Sequence, residues 1–336
     1  MVFRGSRWDV RKANLYYTMK SRGMANAQPG HNVCEMHEVL KGFSRGMYSN
    51  WLWHKPLQLL IDAGEGLQLA LGANVFSPSV LAITHGHSDH VMGIPGLVAS
   101  RRFGKGAVDK PLTVYYPEQS RGVQGVRELL GISYAGVVFP VTWTALAPGA
   151  IVPLGKTRSL HAFAVRHTAG EPALGYKVVE TRRRLKPEFA ALTQAEVEAR
   201  ARQGRRDELV EEVPHVAFAH SGDAMPIDPA LVAGADVLVH DATFLHEPDR
   251  REPIHATTEE ALEVGRAAGV KTLVLNHLSI RYDRATAIPL LREQVAASKF
   301  AGECWLLDES EFIALKHPST SLGAGRNTET QIPNGV

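Results

Sequence analysis

Between residues 84 and 90 the chain reads Thr-His-Gly-His-Ser-Asp-His, so His85, His87, Asp89 and His90 place three imidazoles and a carboxylate within six residues. Imidazole nitrogen and carboxylate oxygen suit zinc and similar divalent ions, and a turn after a short apolar run directs alternate side chains toward one point. The bland alternative is a polar surface loop. Three more candidates, His167, Asp223 and His277, each follow a strand-like apolar run. Alone, any of them reads as a hydrogen-bonded structural residue. Together with the first four they make seven ligands, enough for two divalent cations bridged by one carboxylate and a water or hydroxide. Zinc is the first expectation for both ions, with Mn2+ and Fe2+ as alternatives. Such a pair of cations hydrolyses esters.

The elements that must position these residues are visible as apolar periodicity. Short runs rich in Val, Ile and Leu recur at 59–61, 80–83, 112–116, 163–165, 216–218, 237–239, 273–275 and 305–307, and read as strands. Helical spacing occupies 89–103, 118–130, 257–268 and 287–300. Thr257 followed by Glu259 and Glu260 resembles an N-cap with an acidic first turn, and Gly269 a stop. Strand and helix in alternation predict an α/β fold of layers. Residues 181–212 carry Arg182, Arg183, Arg184, Lys186, Arg200, Arg202, Arg205 and Arg206 among nearly as many acids, and read as a projecting insertion. The Ser-, Thr-, Asn- and Gly-rich stretch 317–336 is expected to be a disordered tail, leaving 1–316 as a single domain.

Composition excludes several classes. Of 336 residues, 44% are hydrophobic and 21% charged, which is ordinary for a globular chain, and a net charge of +2 by itself argues no partner. Two cysteines, Cys34 and Cys304, lie far apart and form neither a disulfide framework nor a thiolate zinc site, which fits a reducing cytoplasm. No apolar run approaches the length of a membrane span, and the first twenty residues read as carrying no leader.

The ligand string, then a distant His, a Gly-Asp and a strand-end His, resembles the ligand order of the metallo-β-lactamase superfamily. Within it, Asp62-Ala63-Gly64-Glu65-Gly66, the loop His85 to Leu97, Ser221-Gly222-Asp223, His255-Ala256-Thr257 and Asn276-His277-Leu278-Ser279 resemble the ribonuclease Z (tRNA 3′-processing endonuclease) branch. The resemblance implies an αββα sandwich of two facing sheets with helices outside. It also implies His85, His87 and His167 on one metal, Asp89, His90 and His277 on the other, and Asp223 bridging them. Asp62 becomes a group behind a ligand imidazole, orienting it. Precursor tRNA is the implied substrate and a homodimer the implied assembly.

For phosphodiester hydrolysis, His255 is the expected proton donor to the leaving oxygen, Asp241 its partner, and Asp89 a group that orients or deprotonates water while remaining a ligand. The chain departs from the family in three places. Asp241 replaces a Glu, which predicts a weaker contact to His255. The arm lacks a Gly-Pro element and is short, so 181–212 is open between a phosphate grip and a solvated face. The N-terminal stretch through Cys34-Glu35-Met36 and Gly46-Met47-Tyr48 lacks the family's glycine-rich opening, which predicts rearranged first strands. Two rival readings are a small-ester hydrolase (lactone, cyclic nucleotide or aryl sulfate) on the same cage, and a binding protein with a degenerate site, which would lack ligands.

Overall fold

The computed structural model describes residues 32–103, 110–133 and 141–316. Its central strands carry apolar residues at successive positions because both of their faces are covered. In β3 (Leu59–Ile61) and β4 (Val80–Ala82), Leu59, Ile61, Val80 and Ala82 face one core while Leu60 and Leu81 face another. With β1 (Leu40–Arg45), β2 (Ser49–His54), β5 (Leu112–Pro117) and β6 (Val141–Leu146) they form a six-stranded sheet in sequence order. The β1–β2–β3 part is antiparallel and β3 to β6 are parallel. The first two described strands, β1 and β2, form a regular hairpin, turned at Met47 with φ 68°.

The second sheet holds β7 (Ile151–Pro153), β8 (Arg158–Ala164), β9 (Leu174–Leu185), β10 (Val210–His220), β11 (Val237–Asp241), β12 (Thr272–Asn276), β13 (Glu303–Asp308) and β14 (Glu311–Lys316). Strands β10 to β13 are parallel and the others antiparallel. The two sheets meet in one apolar layer, where Leu52, Ile61 and Tyr115 of the first join Tyr176, Phe218, Val239, Val274 and Trp305 of the second. The outer face of the first sheet is covered by helices Ile94–Phe103 and Arg121–Ser133, and that of the second by Thr258–Ala268 and Arg284–Ala297. This is the expected four-layer αββα arrangement.

Local signals explain where these helices start and stop. Thr257 accepts from the Glu260 amide while Glu260 accepts from the Thr257 amide, and Gly269 closes the helix at φ 62°. Asp283 caps Arg284–Ala297. The segment read as one helix over 89–103 is two, Ser88–Val91 and Ile94–Phe103, because Gly93 between them lies against the backbone of Ala63 and Gly64.

Residues 181–212 extend β9 and β10 as a hairpin carrying the helix Gln194–Arg200, with Val197, Leu209 and Val210 as a small separate core. Its first three arginines are engaged. Arg182 meets Glu180 at 2.8 Å and Asp236 at 2.5 Å, Arg183 meets Glu212 at 3.3 Å, and Arg184 meets Glu211 at 2.8 Å. The pairing favours a solvated, self-neutralised face. Residues 317–336, expected to be a disordered tail, lie outside the described residues. Among the described residues, no helix is long and apolar enough to cross a membrane.

Trp305 is fully buried between the sheets, whereas Ile132 is 83% exposed. Trp305→Ala is therefore expected to cost about 3–5 kcal/mol in denaturant unfolding. Ile132→Ala should stay within about 0.5 kcal/mol. Equal costs would show that the layer between the sheets is not where stability resides.

Candidate metal centre

All seven ligand candidates sit beyond the C-terminal ends of strands, at one edge of the two sheets. After β4 the chain turns through His85 and His87, and the short helix Ser88–Val91 carries Asp89 and His90 in one turn. This loop is held against the one after β3: Ala63 N donates to His90 O at 2.7 Å and Gly93 N to Ala63 O at 2.7 Å. The approach demands Gly64, where a Cβ would overlap the Asp89 carbonyl oxygen. His167 follows β8, Asp223 follows β10 and His277 follows β12, the last at φ 63°.

The structure brings all seven together. The ligand atoms of His85, His87 and His167 lie within 4.8 Å of one another, as do those of Asp89, His90 and His277, and those of His85, His90 and Asp223. Asp223 Oδ2 stands between the two triads, 3.7 Å from His85 Nε2, 3.3 Å from His90 Nε2 and 3.1 Å from His277 Nε2. That central place is the one a bridging carboxylate needs.

What lies behind the rings decides which nitrogens face inward. His167 Nδ1–H donates to the Ile254 carbonyl at 2.9 Å and His90 Nδ1–H to Asp62 Oδ2 at 2.8 Å. Thr243 Oγ1–H donates to Asp241 Oδ1 at 2.7 Å, so its lone pair is left to accept from His277 Nδ1–H at 2.8 Å. Thr84 does the same between Asp62 and His85, at 2.8 and 3.0 Å. Each of these rings therefore presents Nε2 as a lone pair toward the centre, the form in which imidazole binds a cation.

Without a shared acceptor of lone pairs, the interior makes poor hydrogen-bonding sense. His87 Nδ1 is 3.0 Å from His85 Nε2 and 3.3 Å from His167 Nε2, and buried His277 Nε2 has no aligned hydrogen-bond partner despite its closeness to Asp223. Divalent cations held at the two triads would resolve both. The donor set of five imidazoles and two carboxylates fits zinc.

Among the chain's own groups the buried carboxylates take His90 as their counter-charge: burial opposes its protonation, but Asp223 and Asp62 outweigh it and raise the imidazole well above its ordinary range, a proton that a cation at Nε2 would displace. Burial, reinforced by neighbouring rings, holds His85 well below the usual imidazole range and hence neutral. Burial opposes ionisation of Asp223, but the adjacent His277 and His90 outweigh it and keep the carboxyl well below its ordinary value. Asp89 is likewise lowered against burial, to about 2, by its contact with His277 and the charge of His90.

Asp241 and His255 form a separate pair at the rim. His255 Nδ1 is 2.7 Å from Asp241 Oδ2, so the shorter carboxylate makes full contact and the expected weakening does not occur. Asp241 also accepts from Ala224 N, Thr243 N and Thr243 Oγ1. With four hydrogen bonds its oxygens are fully used, which argues against its being a ligand although it lies among Asp223, His255 and His277. Burial works against protonation of His255, yet the Asp241 carboxylate raises it to about 9. The His255 ring stacks on His277 at 4.9 Å and meets His167 at 4.9 Å, beside both triads.

Asn50 was not legible as part of the site: its Nδ2 donates to Asp89 Oδ2 at 3.0 Å from β2, far away in sequence. Thr84 and Thr243 stand next to recognised motif residues, but their bridging role depends on strand neighbours. Ser44 adds another hold, accepting from His277 N at 2.7 Å.

Fold and site together define a class. The family model described as "Beta-lactamase superfamily domain" matches residues 58–278, and the chain belongs to that superfamily. Within it, the chain belongs to the ribonuclease Z family. It is 34% identical over 271 residues to a "Ribonuclease Z" of Halobacterium salinarum, covering 74% of this chain and 84% of that protein. It is 34% identical over 263 residues to a "Ribonuclease BN" of Escherichia coli, covering 70% and 82%. The crystal structure of the short form of human tRNase Z superposes with a TM-score of 0.55 at 20% identity, over 72% of this chain and 93% of that one.

Removing the hydroxyl that holds His277 tests the arrangement. Thr243→Val keeps the shape but leaves His277 Nδ1 without its acceptor, and should weaken zinc binding about 10–100-fold in chelator competition. Unchanged zinc affinity in a folded variant would show that the ring is oriented by something else.

Proposed function

We propose that this chain, a metal-dependent hydrolase of the ribonuclease Z family, cleaves the 3′ trailer from precursor tRNA by hydrolysing a phosphodiester. The observation that carries the reading is the gathering of all seven candidate ligands at one centre, with His255 Nδ1 2.7 Å from Asp241 Oδ2 beside it. The substrate class comes from the relatives named Ribonuclease Z. We assign His85, His87 and His167 to one ion, Asp89, His90 and His277 to the other, and Asp223 to both. Zinc as the native ion, a cytoplasmic setting and a homodimer belong to the same reading, supported by family likeness.

Bound at these groups, two divalent cations would supply an acidified water and neutralise charge on the phosphoryl oxygens. The chain's own residues do the rest. Asp89, fixed by Asn50, orients the attacking water and takes up its proton. His255 uses Nδ1 to donate to Asp241, which leaves Nε2–H free to protonate the leaving oxygen. Asp241 stabilises the imidazolium and sets the ring's direction.

The experiment compares a 3′-extended precursor tRNA with bis(p-nitrophenyl) phosphate and a panel of lactones. His255→Ala is expected to retain about two zinc ions per chain and to lower kcat on precursor tRNA about 10²–10⁴-fold. Asp223→Ala is expected to lose metal. Equal metal loss in both variants would refute the division between ligand and proton donor. Turnover of lactones with none of RNA would replace the reading by the small-ester one.

A further inference from the structure

We propose that the RNA backbone is gripped at the mouth of the metal centre by Arg121, Arg166 and Arg281, and not by the carboxylate-paired arginines of the arm; this rests on the RNA reading above. An arginine binds phosphate through its forked donors, but one already facing a carboxylate must give up that contact first. The arm is in this position. Besides Arg182, Arg183 and Arg184, Arg205 meets Glu208 at 2.8 Å and Arg202 approaches Glu198 at 3.8 Å. A phosphate arriving at these five finds charges that are already matched.

The opposite holds around the centre. Arg121, Arg166 and Arg281 are exposed, and among the described residues none has a carboxylate within ion-pair distance of its guanidinium. Arg166 precedes His167, and its Nη2 reaches only the Pro253 carbonyl, at 3.4 Å. Arg281 lies four residues beyond His277, over the Phe244 ring at 5.9 Å, and Phe244 in turn stands 6.3 Å from His255. Among the described residues its guanidinium makes one polar contact, with the Asp249 carbonyl at 3.4 Å.

Arg121 opens the helix Arg121–Ser133, which is fixed to the ligand loop at Gly122: a Cβ there would overlap the carbonyl of Gly86, between His85 and His87. Glu171 locks the same corner, accepting from the Ser120 hydroxyl and from the Arg121 amide rather than from the Arg121 guanidinium. Arg121 shares with His167 an open cleft of roughly 430 Å³ that Gln119, Thr168 and Glu171 also line. Thr168 Oγ1 there is buried without a hydrogen-bond partner. The cleft has the size of a small-molecule site, room for a nucleoside next to the scissile phosphate. Three loops that carry ligands or brace them thus each place one unmatched positive charge beside the centre.

The test compares Arg121→Ala/Arg166→Ala/Arg281→Ala with Arg182→Ala/Arg183→Ala/Arg184→Ala, both as zinc-loaded full chains. The readout is kcat/KM for 3′-extended precursor tRNA across a series of KCl concentrations. For the mouth variant, KM should rise and the salt dependence flatten by about one unit of log–log slope per phosphate contact removed. The arm variant should keep the wild-type slope and KM. Zinc content and melting temperature establish that each variant is intact. Should the triple mouth variant be unstable, the single changes Arg121→Gln and Arg166→Gln carry the same expectation of about one unit each. A wild-type slope in the mouth variants, or a flattened slope in the arm variant, overturns the assignment. A wild type that cleaves no RNA removes the underlying reading and this proposal with it, a result distinct from RNA cleavage that ignores the mouth arginines.

Discussion

The molecule is organised around the cost of burying imidazoles and carboxylates in groups of three or four whose ligand atoms lie within 4.8 Å of one another. A polar group taken out of water without a partner costs on the order of 1–3 kcal/mol. Each ring here must therefore be satisfied from behind while its inner nitrogen is kept for a cation. The chain solves this twice in the same way. In the first half Asp62 accepts from Thr84 N, Thr84 Oγ1 and His90 Nδ1, and Thr84 backs His85. In the second half Asp241 accepts from Thr243 N, Thr243 Oγ1 and His255 Nδ1, and Thr243 backs His277. The halves differ in one respect that bears on function. The imidazole partnered by Asp62 points into the ligand set, whereas the one partnered by Asp241 remains outside it with a free nitrogen.

This arrangement requires two parallel strand ends side by side in each sheet. Asp62 follows β3 and Thr84 follows its parallel neighbour β4; Asp241 ends β11 and His277 follows its parallel neighbour β12. Parallel strands present all their C-terminal ends at one edge, and both faces must then be covered. The helices and the opposed sheet supply that cover. Strained backbone sits at the same points: Asp62 and His277 are non-glycine residues at φ 57° and 63°, a conformation that persists only where surrounding contacts over-determine it. For Asp62 those contacts are its three accepted hydrogen bonds. For His277 they are the holds from Ser44 and Thr243.

Much of this was legible in the sequence, for identifiable reasons. His85, His87, Asp89 and His90 are local, and their spacing is their signal. His167, Asp223 and His277 could be read because each terminates an apolar run, and strand ends are where a layered α/β fold gathers chemistry. Both outer helices of the second sheet announced their layer by apolar spacing, and Thr258–Ala268 also by its cap residues. What could not be read were contacts made across strands. Asn50 reaches Asp89 from a hairpin with no motif of its own. The break at Gly93 depends on a loop some thirty residues earlier, so helical spacing alone ran through it. Charge in the arm was ambiguous for a related reason: composition counts arginines and acids, but the β9–β10 register decides that Arg183 faces Glu212 and Arg184 faces Glu211.

The substitution at Asp241 shows why position outweighs side-chain length at such a site. A carboxylate one methylene shorter has less reach, which argued from sequence for a looser hold on His255. Reach matters only if the backbone is distant, and here it is not. Asp241 is the last residue of β11, paired in register with Asn276, the residue immediately before His277, so its backbone already lies at the edge of the centre. At that distance both oxygens are consumed, Oδ1 by Thr243 and Oδ2 by Ala224 N and His255. A longer carboxylate from the same position would have to fold back to make these four contacts and would give up side-chain entropy in doing so. The short side chain is thus consistent with a tightly oriented His255, and the direction in which that imidazole presents Nε2 is set by strand register as much as by the acid behind it.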